Sequence, residues 1–471
     1  MNNVVMIAYG FPPEGNAGSY RPLRFVRQLP NFGWNPIVVS AIPSHYERYD
    51  AALLTKVPKQ IQVIRVPASD PWQSLQAYRS QNLSRESASH EKILSGLGTK
   101  PSLFVRDSIR EIVRTAEAWW YHPDMAMPWI QPAIEATIEA SKRINVSVIW
   151  ATAGPVSSFV VAKRSSLETG IPYVLDFRDA WTITYNAFEA RQPQWVKRRA
   201  RRDMYEFLSG AKAVVFRYGA EAECFWRAYP GALDPSRMHI IPNGYESPIE
   251  EASFSASDKC TVLYAGTLPD YRYDTLLTAL RIFKQTDPVR ARALRLVFVG
   301  EGTNVVANEA EALDLTDIVQ TAARKSYSEI TSLQRQADAL LILGRPSTMS
   351  GYELFAAAKL FGYFKTGRPI IGVLPQDETR KILNHLGVGT VADVDSVQDI
   401  CRVLGIIIEN WSRGTLSALV PDRKACEEYS SERQTATLVR ALEGLPAEKE
   451  FKPGANAIPP SLRNVIGQWA V

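Results

Sequence analysis

Short, nearly continuous apolar runs alternate with longer amphipathic segments through most of the chain. Val4–Tyr9, Pro36–Ser40, Ile61–Val66, Val146–Ala151, Tyr173–Phe177, Ala213–Phe216 and His239–Ile241 are β-branched and bounded by Gly, Pro or Asp. A strand covered on one face alternates apolar and polar positions, whereas one covered on both faces is apolar throughout, so these runs predict buried strands. The rhythm restarts at Thr261–Ala265 and continues through Arg295–Val299, Asp317–Thr321, Ala339–Leu343, Pro369–Val373 and Thr390–Ala392. Strands separated by helix-length segments predict parallel sheets with right-handed crossovers, an α/β chain.

Between the two series, Asn243-Gly244-Tyr245 is a turn signal and Glu246–Lys259 is polar with no apolar period, which places a linker there. The expected organisation is two doubly wound, Rossmann-like domains, residues 1–242 and 260–425, followed by a helix and an irregular tail over 426–471. No repeat relates the halves in sequence, so their kinship is architectural. Two segments break the rhythm. Asp70–Ser102 is dense in Ser, Gln and Gly and reads as an excursion, and Gly444–Pro460 holds four prolines and two glycines, too many for a continuous helix.

Composition narrows the class. With 471 residues, 46% hydrophobic and 22% charged, the chain is a globular mix rather than a disordered, collagen-like or disulfide-scaffold one. Lys plus Arg exceed Asp plus Glu by 54 − 49 = 5. So weak an excess argues against a dedicated nucleic-acid binder and suits a small polyanionic ligand or an anionic membrane face. Cys224, Cys260, Cys401 and Cys426 stand apart, with no C-x-x-C pair and no His at ligand spacing, which points to reduced thiols rather than zinc or disulfides. The apolar run at the N-terminus lacks a preceding basic region, and no stretch approaches the about 18 apolar residues of a membrane helix. A cytoplasmic protein is expected, peripheral at most on the inner face of the cell membrane.

Four places carry candidate chemistry. Gly10, Gly15 and Gly18 follow the first strand, where glycines admit a ligand close to the backbone and the next helix offers N–H groups to a phosphate. Their G-x4-G-x2-G spacing is neither the dinucleotide fingerprint nor a Walker loop, so a plain strand-to-helix turn fits equally. Asp176-Phe177-Arg178-Asp179-Ala180-Trp181 ends a strand, the position at which open parallel sheets bind ligands. Two carboxylates, a guanidinium and an indole suit sugar hydroxyls and a pyranose face, although an Asp–Arg pair capping the next helix would use the same residues. In the second half, Gly266-Thr267-Leu268, Arg272 and Gly300-Glu301-Gly302 repeat the strand-end glycine device, as a ligand sandwiched between domains with a diphosphate near the cation would require. Lys359 stands at the start of a helix that Gly367 closes; it either faces phosphate or lies on the surface.

The motifs F-P-P-x-G-x-x-G with Arg21, D-F-R-D-x-W, Pro242-Asn243-Gly244-Tyr245, Gly266-Thr267-Leu268 and K-L-F-x-Y-x-x-x-G-R-P-I-I occur in that order from Val4 to about Leu442. On them the chain resembles bacterial family-4-type glycosyltransferases of the GT-B fold, which build polysaccharides and exopolysaccharides from nucleotide sugars. The resemblance implies two Rossmann-like domains facing across a cleft, the first binding acceptor and the second the donor, with a helix near Arg423–Leu442 crossing back. It implies a catalytic set of Asp176, Arg178 and Asp179 lining the sugar and acceptor side. The donor would be bound by Gly15 and Gly18 through backbone N–H groups, and by Arg21, Asn243, Gly266, Thr267 and Glu301. Arg272 and Lys359 would neutralise the diphosphate, and Lys325 to Tyr327 would lie near the base. Such enzymes retain anomeric configuration and use neither metal nor cofactor, since basic side chains and a helix dipole take the place of the cation. The acceptor would be a glycan or a lipid-linked glycan.

One position departs from the pattern. Family members commonly carry Glu where this chain has Gly362, and that carboxylate holds the nucleotide ribose; losing it removes roughly 1–3 kcal/mol of binding. A GT-B-fold nucleotide-sugar epimerase and a non-catalytic, transferase-like scaffold subunit are therefore alternatives. Asp393-Val394-Asp395 looks like a cation-binding D-x-D but follows a strand and leads into a helix, so turn and capping roles are assigned and no metal. Trp119-Trp120-Tyr121-His122-Pro123-Asp124, with Trp129, is either an acceptor platform or packing. Trp195 to Arg202 gathers five basic residues beside a tryptophan, which suits anionic lipid headgroups or a solvated helix face.

Overall fold

The computed structural model describes residues 1–46, 48–68, 119–183, 192–246, 248–254, 257–268, 271–345, 354–456, 458–459, 462–463 and 466. The Asp70–Ser102 excursion lies outside them.

Each of the apolar runs carries a strand. The first series gives β1 (Asn2–Ile7), β2 (Trp34–Ala41), β3 (Gln62–Val66), β4 (Val146–Thr152), β5 (Tyr173–Asp176), β6 (Ala213–Phe216) and β7 (Met238–Ile240). The second gives β8 (Cys260–Ala265), β9 (Leu294–Val299), β10 (Val319–Ala322), β11 (Ala339–Leu343), β12 (Ile370–Leu374) and β13 (Val391–Asp393). They form a 7-stranded sheet in the order β3-β2-β1-β4-β5-β6-β7 and a 6-stranded sheet in the order β10-β9-β8-β11-β12-β13. The pairings from β3 through β6, and all those of the second sheet, are parallel. In both sheets the chain works outward from a central strand, returns, and works outward the other way. The reversal falls between β1 and β4 in the first sheet and between β8 and β11 in the second, and open α/β sheets bind ligands beyond the strand ends at that reversal.

The reason for the continuous apolar runs is visible in the second sheet. Ala339, Leu341 and Leu343 of β11 join one buried cluster with Val262, Tyr264, Ile371 and Val373. Leu340 and Ile342 join the opposite cluster with Leu263, Ile370 and Leu374. Successive side chains point to opposite faces, so a strand with helices on both sides must be apolar at every position. Truncating one such leucine to alanine costs about 2–5 kcal/mol. In the first sheet, Phe177 packs between Phe159 and Phe216 with ring centroids 4.9 and 5.0 Å away, which fixes the D-F-R-D segment at the end of β5.

The chain separates into two compact units, one of Met1–Phe216, Tyr229–His239 and Leu438–Lys452, the other of Arg217–Ala228, Ile240–Thr437 and Pro453–Val471. Within the second, the Pro242–Tyr245 turn is tied to the chain before the helix Ser431–Glu443: Tyr245 N–H donates to Tyr429 O (3.0 Å) and Ser431 N–H to Tyr245 O (2.9 Å). Gly244 is required there, since a Cβ would stand 2.3 Å from Tyr429 O.

Candidate functional site

Each sheet brings a cation to its reversal point, and the two are held differently. In the first unit the helix Ala17–Gln28 follows the glycine turn and carries Arg21 inward. Arg21 and Asp176, 1% and 0% exposed, form a bidentate pair: Nε donates to Oδ2 (2.9 Å) and Nη2 to Oδ1 (2.7 Å). Thr152 Oγ1 adds a third bond to Oδ2 at 2.8 Å. Both residues, expected as donor-binding and catalytic, thus sit beneath the strand ends and join the first helix to β4 and β5. A charge so enclosed is stable only because its partner and hydrogen bonds replace water.

Arg178 lies above them, half-buried, with Asp179 exposed beside it. Its Nε donates to Ala153 O and its Nη2 to Gly154 O, so carbonyls from the loop after β4 hold it. Burial lowers its pKa, while the Asp179, Asp176 and Glu14 carboxylates pull it back up. Gly18 and Gly154 make room for the guanidinium, since a Cβ would stand 2.2 Å from Nη1 at the first and 2.7 Å from Nη2 at the second. Gly18 therefore contacts Arg178 directly, and the N–H of Gly15 is already committed to Arg48 O at 2.9 Å. The Ala153-Gly154 loop was missed by sequence reasoning; its one signal was a Gly-Pro step directly after an apolar strand.

In the second unit the glycine turns pack back to back. A Cβ on Gly300 would stand 2.0 Å from Gly266 O, and Leu268 N–H donates to Glu301 O at 3.0 Å. The glycines thus allow two strand ends to touch. Lys359, in the helix Ala358–Phe364, extends back to this point, and a Cβ on Gly266 would stand 2.6 Å from its Nζ. The Nζ lies 3.8 Å from the Tyr264 ring centroid and 5.1 Å from that of Tyr271. It is buried with no hydrogen-bond partner among the described residues, although the residue as a whole is half-buried. Burial alone pulls its pKa from 10.5 to about 7. The two tyrosines that create this setting are the second feature the sequence did not disclose.

Next to Lys359, across Gly266 and Gly300, an open pocket of about 540 Å³ is lined by Gly300 to Asn304 and Thr321 to Arg324. It includes Glu301, exposed, and the N-terminus of the helix Thr303–Ala312. Lys325 follows the lining and pairs with Glu329 at 3.4 Å, in the capping box that starts the helix Tyr327–Gln336. Thr267 is exposed and Asn243 half-buried. Arg272 is occupied, by Asp274 at 2.9 Å and Asp395 at 3.2 Å. Asp393 accepts the Asp395 N–H at 3.0 Å and meets Arg380 at 3.2 Å. Gly362 is exposed, and nothing lies within 4 Å of where its Cβ would be. Among the described residues no group of three or more His, Cys, Asp or Glu is placed to hold a metal, and no helix is long and apolar enough to cross a membrane.

No protein-family model matches the chain, and no curated protein matches it in sequence. Solved structures do match in fold. Sucrose-phosphate synthase from Thermosynechococcus elongatus superposes with a TM-score of 0.59 at 12% identity, over 94% of this chain and 98% of that one. TarM gives 0.57 at 10% identity over 94% and 99%, and the lipopolysaccharide outer core galactosyltransferase WaaB gives 0.53 at 11% over 94% and 99%. A further TarM structure, from S. aureus, holds UDP, α-GlcNAc-glycerol and fondaparinux. Two parallel sheets of the same winding, matched over nearly the whole length of these transferases, give this chain the fold of the GT-B glycosyltransferases.

Proposed function

We propose that the protein is a glycosyltransferase that moves a sugar from a nucleoside-diphosphate donor to a glycan or lipid-linked acceptor, with retention of configuration and without a metal, in polysaccharide assembly on the cytoplasmic side of the membrane. The observation that carries the reading is Lys359. A buried ammonium without an acceptor is costly, and it persists where a ligand supplies the counter-charge. Its place beside the Gly300–Arg324 pocket suits a nucleoside diphosphate, with base and ribose in the pocket and phosphates at Nζ. As the glycosidic bond to the diphosphate breaks, negative charge grows on the leaving oxygen, and a fixed ammonium stabilises that charge more than the ground state.

In the first unit, Arg178 and Asp179 would meet the sugar and acceptor, while Asp176 and Arg21 hold Arg178's platform in place. Arg272, already between two carboxylates, would contribute less to the diphosphate than Lys359. The vacant position at Gly362 supports a second reading, a transferase-like subunit without catalysis.

Titration calorimetry with a panel of nucleotide sugars and nucleoside diphosphates tests both. Binding by one of them, weakened about 10- to 100-fold in Lys359→Gln by loss of a charge-assisted hydrogen bond, is the expected result. Absence of binding at millimolar ligand would reject the catalytic reading. Conversion of the donor sugar without any acceptor would instead identify an epimerase.

A further inference from the structure

The first unit exposes aromatic side chains beside its basic helix, in an arrangement the proposed sugar chemistry does not use. On the helix Gln194–Gly210, Val196, Ala200, Met204, Phe207 and Leu208 face the core. Trp195, Arg198, Arg202 and Tyr205 are exposed. Their spacing of three, four and three places them along one face. Trp195 is 40% exposed and Tyr205 44%, and the Arg202 side chain is 68% exposed. The helix carries five basic residues against two acids. Asp203 Oδ2 meets His122 Nε2 at 2.6 Å and its Oδ1 meets Arg202 Nη2 at 3.7 Å, while Glu206 meets Lys163 at 2.5 Å. The helix therefore keeps an excess of positive charge, with Arg198 and Arg202 exposed.

The His122–Asp203 contact anchors the segment that carries Trp119 and Trp120, 61% and 48% exposed, and Met125 at 54%. Five large apolar side chains with exposed arginines thus lie in adjoining segments fixed to one another. Exposed indoles gain little from a dissolved polyanion that lacks aromatic bases to stack on. At a bilayer surface the ring enters the headgroup region while arginine meets lipid phosphate.

We propose that this face docks on an anionic lipid bilayer, with Arg198 and Arg202 on headgroup phosphates and Trp119, Trp120, Trp195 and Tyr205 in the interface. The surface belongs to the first unit and the proposed nucleotide site to the second, so nucleotide binding without lipid is an independent control. The test is flotation of the full chain with phosphatidylcholine vesicles, with and without phosphatidylglycerol, at low and raised salt. Binding that needs phosphatidylglycerol, weakens in salt and blue-shifts tryptophan emission is expected. Arg198→Glu with Arg202→Glu should lower partitioning roughly thirtyfold or more, at about fivefold per arginine lost from the surface. Trp119→Ser with Trp120→Ser should reduce both the binding and the blue shift. All variants should keep the wild-type unfolding transition and nucleotide affinity. Equal binding to neutral vesicles, no binding to either, or variants that float like wild type would overturn the proposal. Retention on a soluble polyanion that the arginine pair controls and the tryptophans do not would reassign the face to a dissolved partner.

Discussion

Arg178 and Lys359 are both cations at the reversal point of a parallel sheet, and they differ in what surrounds the charge. Arg178 is met by two backbone carbonyls and seated between two glycines, above a buried pair that is itself fully bonded. Lys359 has two tyrosine faces and no acceptor among the described residues. The first site is completed by the protein and can hold a rigid guanidinium toward a substrate. The second leaves its ammonium without an acceptor among the described residues, the arrangement on which the proposed anion site rests. Strand order is shared by the two sheets; the chemistry differs because it resides in the few side chains that reach the strand ends.

The largest expected effect lies in the completed site. Asp176→Ala leaves Arg21 buried without its carboxylate and should cost about 3–5 kcal/mol in denaturant unfolding. A double replacement, Arg21→Met with Asp176→Leu, should recover much of that loss; no recovery would show that the pair does more than satisfy itself. Next comes the contact between the glycine turns. Gly300→Ala puts a Cβ 2.0 Å from a backbone carbonyl, and it should lower stability by about 1–3 kcal/mol and weaken nucleotide binding as Gly266 moves.

The pH dependence of Lys359 sharpens the comparison further. Its folded pKa is lowered to about 7 from 10.5, so between those values the unfolded chain binds the extra proton and stability rises with pH. Lys359→Met should therefore stabilise the unliganded protein at neutral pH, with the gain shrinking as pH rises and gone above about 10.5. A phosphate ligand needs the ammonium form, so the apparent Kd should rise above pH 7, by up to about tenfold per pH unit. A flat profile from pH 7 to 9 would mean that the ammonium is not what the ligand meets. The smallest effect is expected at Gly362→Glu. The site is open, so folding should be unchanged, and a restored ribose acceptor should tighten nucleotide binding about fivefold or more; equal affinity would show that another group holds the ribose.

The strands were legible because a parallel strand sealed on both faces has no polar position to confuse the reading, as β11 shows with Ala339 to Leu343 in alternate clusters. The restart of that rhythm at Thr261 disclosed the second sheet, and the resemblance carried by D-F-R-D-x-W and K-L-F-x-Y led to the fold. Arg21 and Asp176 were each visible as candidates, yet their mutual bond, across 155 positions, was not. Nor did any local pattern show that Gly15 spends its N–H on Arg48, or that Gly300 is a glycine because Gly266 lies against it.

What the sequence determined by itself was the architecture, because burial on two faces imposes a pattern that each segment carries alone. What only the tertiary structure decided was the state of each polar group: Asp176 enclosed, Arg178 held, Arg272 shared between two acids, Lys359 without an acceptor among the described residues. Whether a charge is satisfied depends on distances of a few ångströms between residues far apart in the chain, and one-dimensional spacing does not encode them.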